Sequence, residues 1–530
     1  MSEEGSPVAA ALSGVAFVSD EGSSVPAERI DRLARDGMLA LVGAGVSAVL
    51  NLVLVLVVIH AAGRTTAGVV FAATSLFLIA ETAARLGCPT GLMYFLVKAR
   101  TLGKVGTLRA ILRAGLVPVV VVSVALSVGM LALASPLARW MAPGHYEAGV
   151  VSVRLLALLI PIAAISDSLL NATRAFGSMR PLVVVERMGR PALQVLLTLA
   201  AIGVGRLTAG ALSLVWGLPY VVSGCVALVW TYRLVQRAER RAGVVRERVA
   251  PPSREFWRFT APRAMQSIVQ IALQRLGIVL VSAILGPAHA AVYAAVTRFL
   301  VFGQLGSQAI TAAVQPQIGA LMVKRDHDGA QHIYQVSTCW LVLLCWPVYL
   351  MLAVFSRQIP LVFGHGYNSG TAVLVVLAGA MLFATGSGMV DAVLAMAGKT
   401  TWTLGNATLA LVVNVCLSLL LLPHLGILGA AVAWAVGIVA NNVLPLTQLA
   451  VSMRLHPFGR GTLLAMAVAG FWLGAVPLGA GAVLGASAPI LGAAALVGLL
   501  GYVLTAWRLR DVFELDSLAR ATRRRRPGQL

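Results

Sequence analysis

The chain has 530 residues, of which 59% are hydrophobic and 12% charged, with a formal net charge of +21. A soluble fold of this length cannot hide so much apolar surface, which excludes an ordinary globular enzyme or binding module. Lipid admits only helices or closed barrels, and the apolar runs lack the alternation of barrel strands. The expected fold is therefore all-α and polytopic.

Residues 1–36 are polar and scattered with Ser, Gly and Glu, and are expected to form a flexible cytoplasmic arm. The apolar patch from Val8 to Val18 has no basic leader and is interrupted by Gly14, so it does not fit a signal peptide. From residue 38 to residue 510, apolar stretches of the length needed to cross a bilayer as helix recur. The expected spans, about 14 in number, lie near 38–60, 65–97, 107–134, 150–174, 181–204, 209–234 and 260–285. They continue near 289–320, 333–356, 371–397, 402–422, 427–451, 461–486 and 489–509. Segments 65–97 and 289–320 are too long for one straight crossing, so each should add a bent or interfacial part. A count of about 12 with two pairs merged keeps the same parity.

A pattern repeats along these spans. Residues Gly68 to Phe77 line up with Ala290 to Phe299, Ala175-Phe176-Gly177 with Met396-Ala397-Gly398, and Gly210-Ala211 and Trp216 with Gly429-Ala430 and Trp434. The chain therefore divides into a first lobe of six spans at 37–235 and a second at 259–452, pseudo-symmetric with it. An Arg-rich cytoplasmic linker at 236–258, containing Pro251-Pro252, joins them. Two extra C-terminal spans at 453–510 and a basic cytoplasmic tail at 511–530 follow. Membrane proteins built as two similar halves usually move a substrate through the seam between them.

Charge orients the spans. One set of alternate loops holds Lys98, Arg100, Lys104, Arg109, Arg180, the cluster from Arg237 to Arg258, Lys324, Arg325, Lys399, Arg454 and Arg460. The other holds little beyond Arg64, Arg139, Arg206 and Arg357. Basic loops stay cytoplasmic, which puts both termini in the cytoplasm of a multi-pass protein. The net charge is thus accounted for without nucleic acid. The tail arginines Arg520 and Arg523 to Arg526 either anchor topology or meet anionic lipid head groups.

No enzyme signature stands up. Gly398-Lys399-Thr400 resembles the end of a phosphate loop, but Val393 stands where that motif needs Gly. The five cysteines are scattered through apolar spans without metal-ligand spacing. Neither a metal nor a cofactor is expected.

Polar groups at membrane depth carry the functional signal, because burying them is costly unless they face protein or a hydrated cavity. Arg263, Gln266, Ser267, Gln270 and Gln274 share one face of the seventh span, with Arg275 on its flank. Gln304, Gln308, Thr311 and Gln315 share a face of the eighth, with Arg298 nearer its outer end. These stripes suit a hydrated wall; the alternative is helix–helix hydrogen bonding. Glu81 with Arg85 and Glu186 with Arg190 are spaced to pair along their own helices. Arg154, Arg275 and Arg298 have no such partner, and unpaired guanidinium groups in a cavity suit phosphate oxygens. Asp167 and Asp391 are candidates either for proton or sodium coupling or for pairing with one of these arginines across the bundle.

Arg174-Ala175-Phe176-Gly177-Ser178-Met179-Arg180-Pro181, Leu361-Val362-Phe363-Gly364-His365-Gly366-Tyr367, and the corner from Asn414 through Pro423 to Ala431 together resemble a known family. The likeness, over residues 37–452, is to the polysaccharide exporters (Wzx-type flippases) of the multidrug/oligosaccharidyl-lipid/polysaccharide (MOP) superfamily. It implies a flippase that turns a polyprenyl-pyrophosphate-linked oligosaccharide from the inner to the outer leaflet of the cytoplasmic membrane by alternating access. Arg154, Arg275 and Arg298 would then meet the pyrophosphate and acidic sugars, and the Gln stripes sugar hydroxyls, with other polysaccharide-assembly proteins as partners. Three other readings stay open: a lipid II flippase, a cation-coupled multidrug exporter, and a membrane polysaccharide polymerase or ligase. The exporter would favour acids in its cavity. The enzyme would need a large external loop, and the connection around 135–149 is short.

Overall fold

The computed structural model describes residues 27–205, 207–242, 253–485 and 487–515. Most of the expected arm, Arg206, the middle of the linker with Pro251-Pro252, and the tail arginines Arg520 and Arg523 to Arg526 lie outside the described residues. Every regular element among the described residues is helical.

The first helix, α1 (Ala27–Arg85), begins inside the expected arm and is interrupted at Gly63, where φ is 75° and ψ 167°. Glycine alone takes that conformation without a Cβ clash, so the first two expected spans are two arms of one kinked helix. After a second break at Gly87 come α2 (Cys88–Thr101), α3 (Leu108–Ala132), α4 (Ala134–Met141), α5 (Tyr146–Ala157) and α6 (Ile160–Thr173). A π-helical stretch, Leu182–Gly189, leads into α7 (Arg190–Gly203), and α8 (Ala209–Arg241) closes the first half. The second half comprises α9 (Ser253–Leu285), α10 (Pro287–Val323), α11 (His327–Val354), α12 (Gly370–Gly386), α13 (Val390–Met396), α14 (Thr400–Leu425) and α15 (Ile427–Met453). The trailing helices are α16 (Arg460–Ala469), α17 (Val476–Leu484), entered through a second π stretch at Gly470–Ala475, and α18 (Ala488–Arg508). Both π stretches run into a helix whose second residue is proline, Pro191 or Pro477. Proline has no N–H and its ring crowds the preceding turn, which a widened turn relieves.

Helix occupies each of the 14 positions expected to span, yet by length and apolarity 10 helices among the described residues qualify as crossings, or 11 if the bent pair of α5 and α6 is one span. One of the 10 is the 64-residue stretch Met38–Thr101, which contains the fold at Gly63. The segment 182–203 and α10 do not reach that standard, and both carry the charged groups described below.

The repeat has a structural counterpart. Gly177 and Gly398, matched in sequence, take φ of 76° and 79° at equivalent turns. The matched stretches around Gly68 and Ala290 lie on α1 and α10, which pack against each other as the main contact between halves. Ala67, Ala72, Ala73, Ala290, Ala291, Ala294 and Ala295 are all fully buried there. Gly68 lies against the backbone of Pro287 with no room for a Cβ. Small residues permit this approach and gain dispersion contacts that lipid cannot replace.

The end of the bundle away from the basic loops is closed. Arg64 Nη1 of the first half donates to the Gly366 carbonyl at 2.8 Å, and Ser282 Oγ to the Met141 carbonyl at 2.6 Å. At the basic end α9 begins on the first half. Phe256 is fully buried, Phe259 stacks on Tyr94 at 4.4 Å, Trp257 Nε1 donates to the Ala114 carbonyl at 3.0 Å, and Lys98 pairs with Glu255 at 2.9 Å. The expected linker of 236–258 is therefore helical at both ends, and its last residues are anchored by aromatic packing.

Candidate functional site

A cavity of about 260 Å³ lies where the halves meet. Its wall comes from α1 (Ser47, Asn51, Thr74), the π stretch (Glu186, Arg187), α7 (Arg190, Gln194), α8 (Trp216, Tyr220), α9 (Arg275) and α10 (Arg298). Pro191 and the π stretch before it set this part of the wall: a widened turn shifts the register by which Arg187 and Arg190 are presented. Four arginines and a single carboxylate, Glu186, line the cavity.

The first half compensates Arg85 and Arg190, while Arg187 beside them makes no ion pair among the described residues. Asp167, nearly buried on α6, bridges two of them: Oδ1 is 3.1 Å from Arg190 Nη1 and Oδ2 is 3.4 Å from Arg85 Nη1. Arg85 also meets Glu81 at 3.0 Å and donates to Thr82 Oγ1 at 2.8 Å. Arg190 reaches Glu186 at 3.8 Å and lies over the Tyr220 ring at 4.4 Å. The result is a continuous chain Glu81–Arg85–Asp167–Arg190–Glu186 behind and along one wall.

The second half does not. Arg275 and Arg298 have no ion pair among the described residues, and the Nε of each is buried without a hydrogen-bond partner. Both residues are half-buried at the cavity, where a guanidinium without a counter-charge is chemically able to accept an anion through its remaining N–H groups.

The structure thus brings Arg275 and Arg298 of the expected cation set together, and not Arg154. Arg154 is exposed on α5 between Val151 and Leu158, themselves 46% and 57% exposed, and is not part of the cavity wall. Arg263, Gln266, Gln270 and Gln274 are exposed but do not line the cavity, nor do Gln304, Gln308 and Gln315. Consecutive residues on a helix point about 100° apart, so the flank that presents Arg275 turns the Gln274 stripe away. Arg263 instead lies over its neighbour Phe259 at 3.8 Å and donates to its carbonyl at 2.9 Å. Both expected intrahelical pairs form. Asp167 is held by Arg85 and Arg190 rather than by Arg154, Arg275 or Arg298. Asp391 meets no arginine; it accepts from Asn441 Nδ2 at 3.2 Å, away from this cavity.

Sequence reasoning missed Arg187, Gln194, Trp216 and Tyr220, and read Arg190 only as Glu186's intrahelical partner. The proline one residue beyond Arg190 and the recurrence of Trp216 in the repeat were the available signals.

The MatE family model matches residues 262–420, which cover most of the second half. A curated relative, the probable low-salt glycan biosynthesis flippase Agl15 of Haloferax volcanii, is 24% identical over 193 residues. That alignment covers 36% of this chain, and the chain spans about two-fifths (41%) of the relative's length. Among solved structures, the lipid II flippase MurJ in an inward closed conformation superposes with a TM-score of 0.67, at 12% identity, covering 90% of this chain and 99% of MurJ. The inward-facing conformation of a multidrug resistance MATE family transporter gives a TM-score of 0.64, at 15% identity, covering 77% of this chain and 94% of the transporter. The chain is thus a multi-pass helical membrane protein that shares the fold of these two solved transporters and carries, at residues 262–420, a segment similar to the MatE family.

Proposed function

We propose that this protein is a flippase that moves a polyprenyl-pyrophosphate-linked oligosaccharide, a cell-envelope polysaccharide precursor, from the inner to the outer leaflet. The observation that carries this reading is the pair Arg275 and Arg298, uncompensated at the seam of two repeated halves. A pyrophosphate supplies the missing charge and accepts the bidentate bonds a guanidinium offers. The name of the Agl15 relative supports a glycan-linked passenger, and the MatE match and MOP fold support a transporter rather than an enzyme.

In this account the basic loops face the cytoplasm and the seal at Arg64–Gly366 faces outward. The head group reaches the cavity from the basic end past Ser47, Asn51 and Arg187, while the lipid tail stays in the bilayer. An anion held by Arg275 and Arg298 on one wall also attracts Arg190 on the other. Its binding therefore favours whichever arrangement brings the walls together, the condition for an alternating-access step. Asp167, Glu81 and, away from this cavity, Asp391 are the carboxylates available to couple that step to H⁺ or Na⁺. Partners in polysaccharide assembly would receive the product at the outer surface.

A second reading, a lipid II flippase, is favoured by the superposition on nearly the whole of MurJ. The cation-coupled drug exporter is less well supported, since the cavity's charged residues without an ion pair among the described residues are arginines and its one carboxylate, Glu186, is paired with Arg190. The test is the lipid-linked saccharide pool of cells depleted of the protein, weighed by mass spectrometry and assigned to a leaflet with an impermeant sugar-modifying probe. Completed units trapped on the inner leaflet support the proposal, and their mass separates a polysaccharide unit from lipid II. Units reaching the outer leaflet unpolymerised would point to the polymerase or ligase, and an unchanged pool would count against a flippase.

A further inference from the structure

The cavity wall carries an aromatic feature that the charge argument leaves unused. Phe77, Trp216 and Tyr220 form a closed trio with ring centroids 5.4 to 5.6 Å apart, and Trp216 and Tyr220 line the cavity. Phe77 is fully buried and meets both partners edge-on, which fixes the other two rings from behind. The Trp216 backbone is held as well, its carbonyl accepting from Gln194 Nε2 at 2.8 Å. Tyr220 is 3% exposed and carries Arg190 on its ring, so Trp216 is the ring of the trio left available to a guest.

Its polar edge is also free. The indole N–H groups of Trp257, Trp340 and Trp472 donate to acceptors within the protein, at 3.0 Å in each case. That of Trp216 has no acceptor among the described residues, and it is not a buried orphan either. The repeat provides an internal control. Trp434 stands at the matching position in the second half, but it packs against the apolar core, makes no ring pair among the described residues and does not line the cavity. Trp216 packs on the same core, and of the two matched positions it is the one that also joins a ring cluster and lines the cavity.

A rigid aromatic face with a free N–H, beside four arginines in a cavity of about 260 Å³, matches a ligand with an anion next to a flat, C–H-bearing, hydroxylated ring. Building on the flippase reading above, we propose that Trp216 is the stacking platform for the sugar ring attached directly to the pyrophosphate. The cavity falls below the roughly 300–1,000 Å³ typical of sites for drug-sized ligands. It therefore suits a head group and its first ring, with the rest of the saccharide extending toward the basic end.

The experiment uses the purified full-length chain and native mass spectrometry with two probes, bare polyprenyl pyrophosphate and the same lipid carrying one hexose. The wild type should hold the hexose-bearing lipid about tenfold more tightly than the bare one. Trp216→Leu should abolish that preference, so that the two lipids bind equally, and Trp216→Phe should keep most of it. Trp434→Leu should leave both affinities as they were. The proposal is overturned if the wild type binds both lipids equally, or if Trp216→Leu retains the hexose preference. Binding of neither lipid would bring down the flippase reading, and the platform with it.

Discussion

The two halves supply arginines to one cavity and treat them differently. Arg85 and Arg190 of the first half are locked to Asp167, Glu81 and Glu186, whereas Arg275 and Arg298 of the second have no ion pair among the described residues. A duplicated architecture does not imply duplicated chemistry: one wall carries an ion-paired network that ends at Arg190 with Arg187 unpaired beside it, and the other carries two arginines without a counter-charge among the described residues. The same division separates Trp216 from Trp434.

If that division is right, loss of charge in the first half should appear as lost stability, and loss in the second as lost transport. The largest effect is expected for Asp167→Asn, which removes the carboxylate shared by Arg85 and Arg190. Breaking a buried pair typically costs about 3–5 kcal/mol, so the thermal unfolding midpoint of the detergent-purified protein should fall sharply. An unchanged midpoint would show that the network is not structural. Next comes Arg275→Gln or Arg298→Gln, each expected to slow transport about 10- to 100-fold, the worth of one charge-assisted hydrogen bond, without lowering the midpoint. Stability lost together with transport would erase the contrast between halves.

Arg64→Ala is expected to act more gently. Removing the bond from Arg64 to the Gly366 carbonyl should weaken the far-end seal by about 1 kcal/mol, roughly a fivefold shift toward opening. Spin-label distances across that end would report the shift, and an unaltered distribution would assign the seal to the Ser282–Met141 bond and the Gly68–Pro287 contact. The smallest effect is expected for Arg154→Gln, on the exposed face of α5: transport within about twofold of wild type. A large loss there would bring Arg154 back into the substrate path.

Much of the fold was legible because lipid forces long apolar helices and basic loops betray their side. The positions of helices and turns follow from that, including the left-handed glycines Gly177 and Gly398. The crossing count was harder, since α1 folds back at Gly63 within one long helical stretch, and α10 dilutes its apolarity with Arg298 and a row of glutamines. Intrahelical pairs such as Glu81–Arg85 could be read from spacing alone. The link from Asp167 to Arg190, 23 residues on, could not, because it depends on how α6 packs beside the π stretch. Nor could spacing tell which face of α9 meets the cavity, so the Gln stripe looked more central than Arg275. Amide glue does occur in this bundle, but elsewhere: Asn406 and Gln448 exchange hydrogen bonds of 2.8 and 3.1 Å.

The most direct test of the uncompensated pair is binding. Purified wild type and the double variant Arg275→Gln/Arg298→Gln would be titrated with polyprenyl pyrophosphate, and the retained lipid counted by native mass spectrometry. The expected result is a stable one-to-one adduct for the wild type and its loss in a double variant that unfolds at the same temperature. Equal retention by both proteins would contradict the claim that these two arginines hold the passenger's charge.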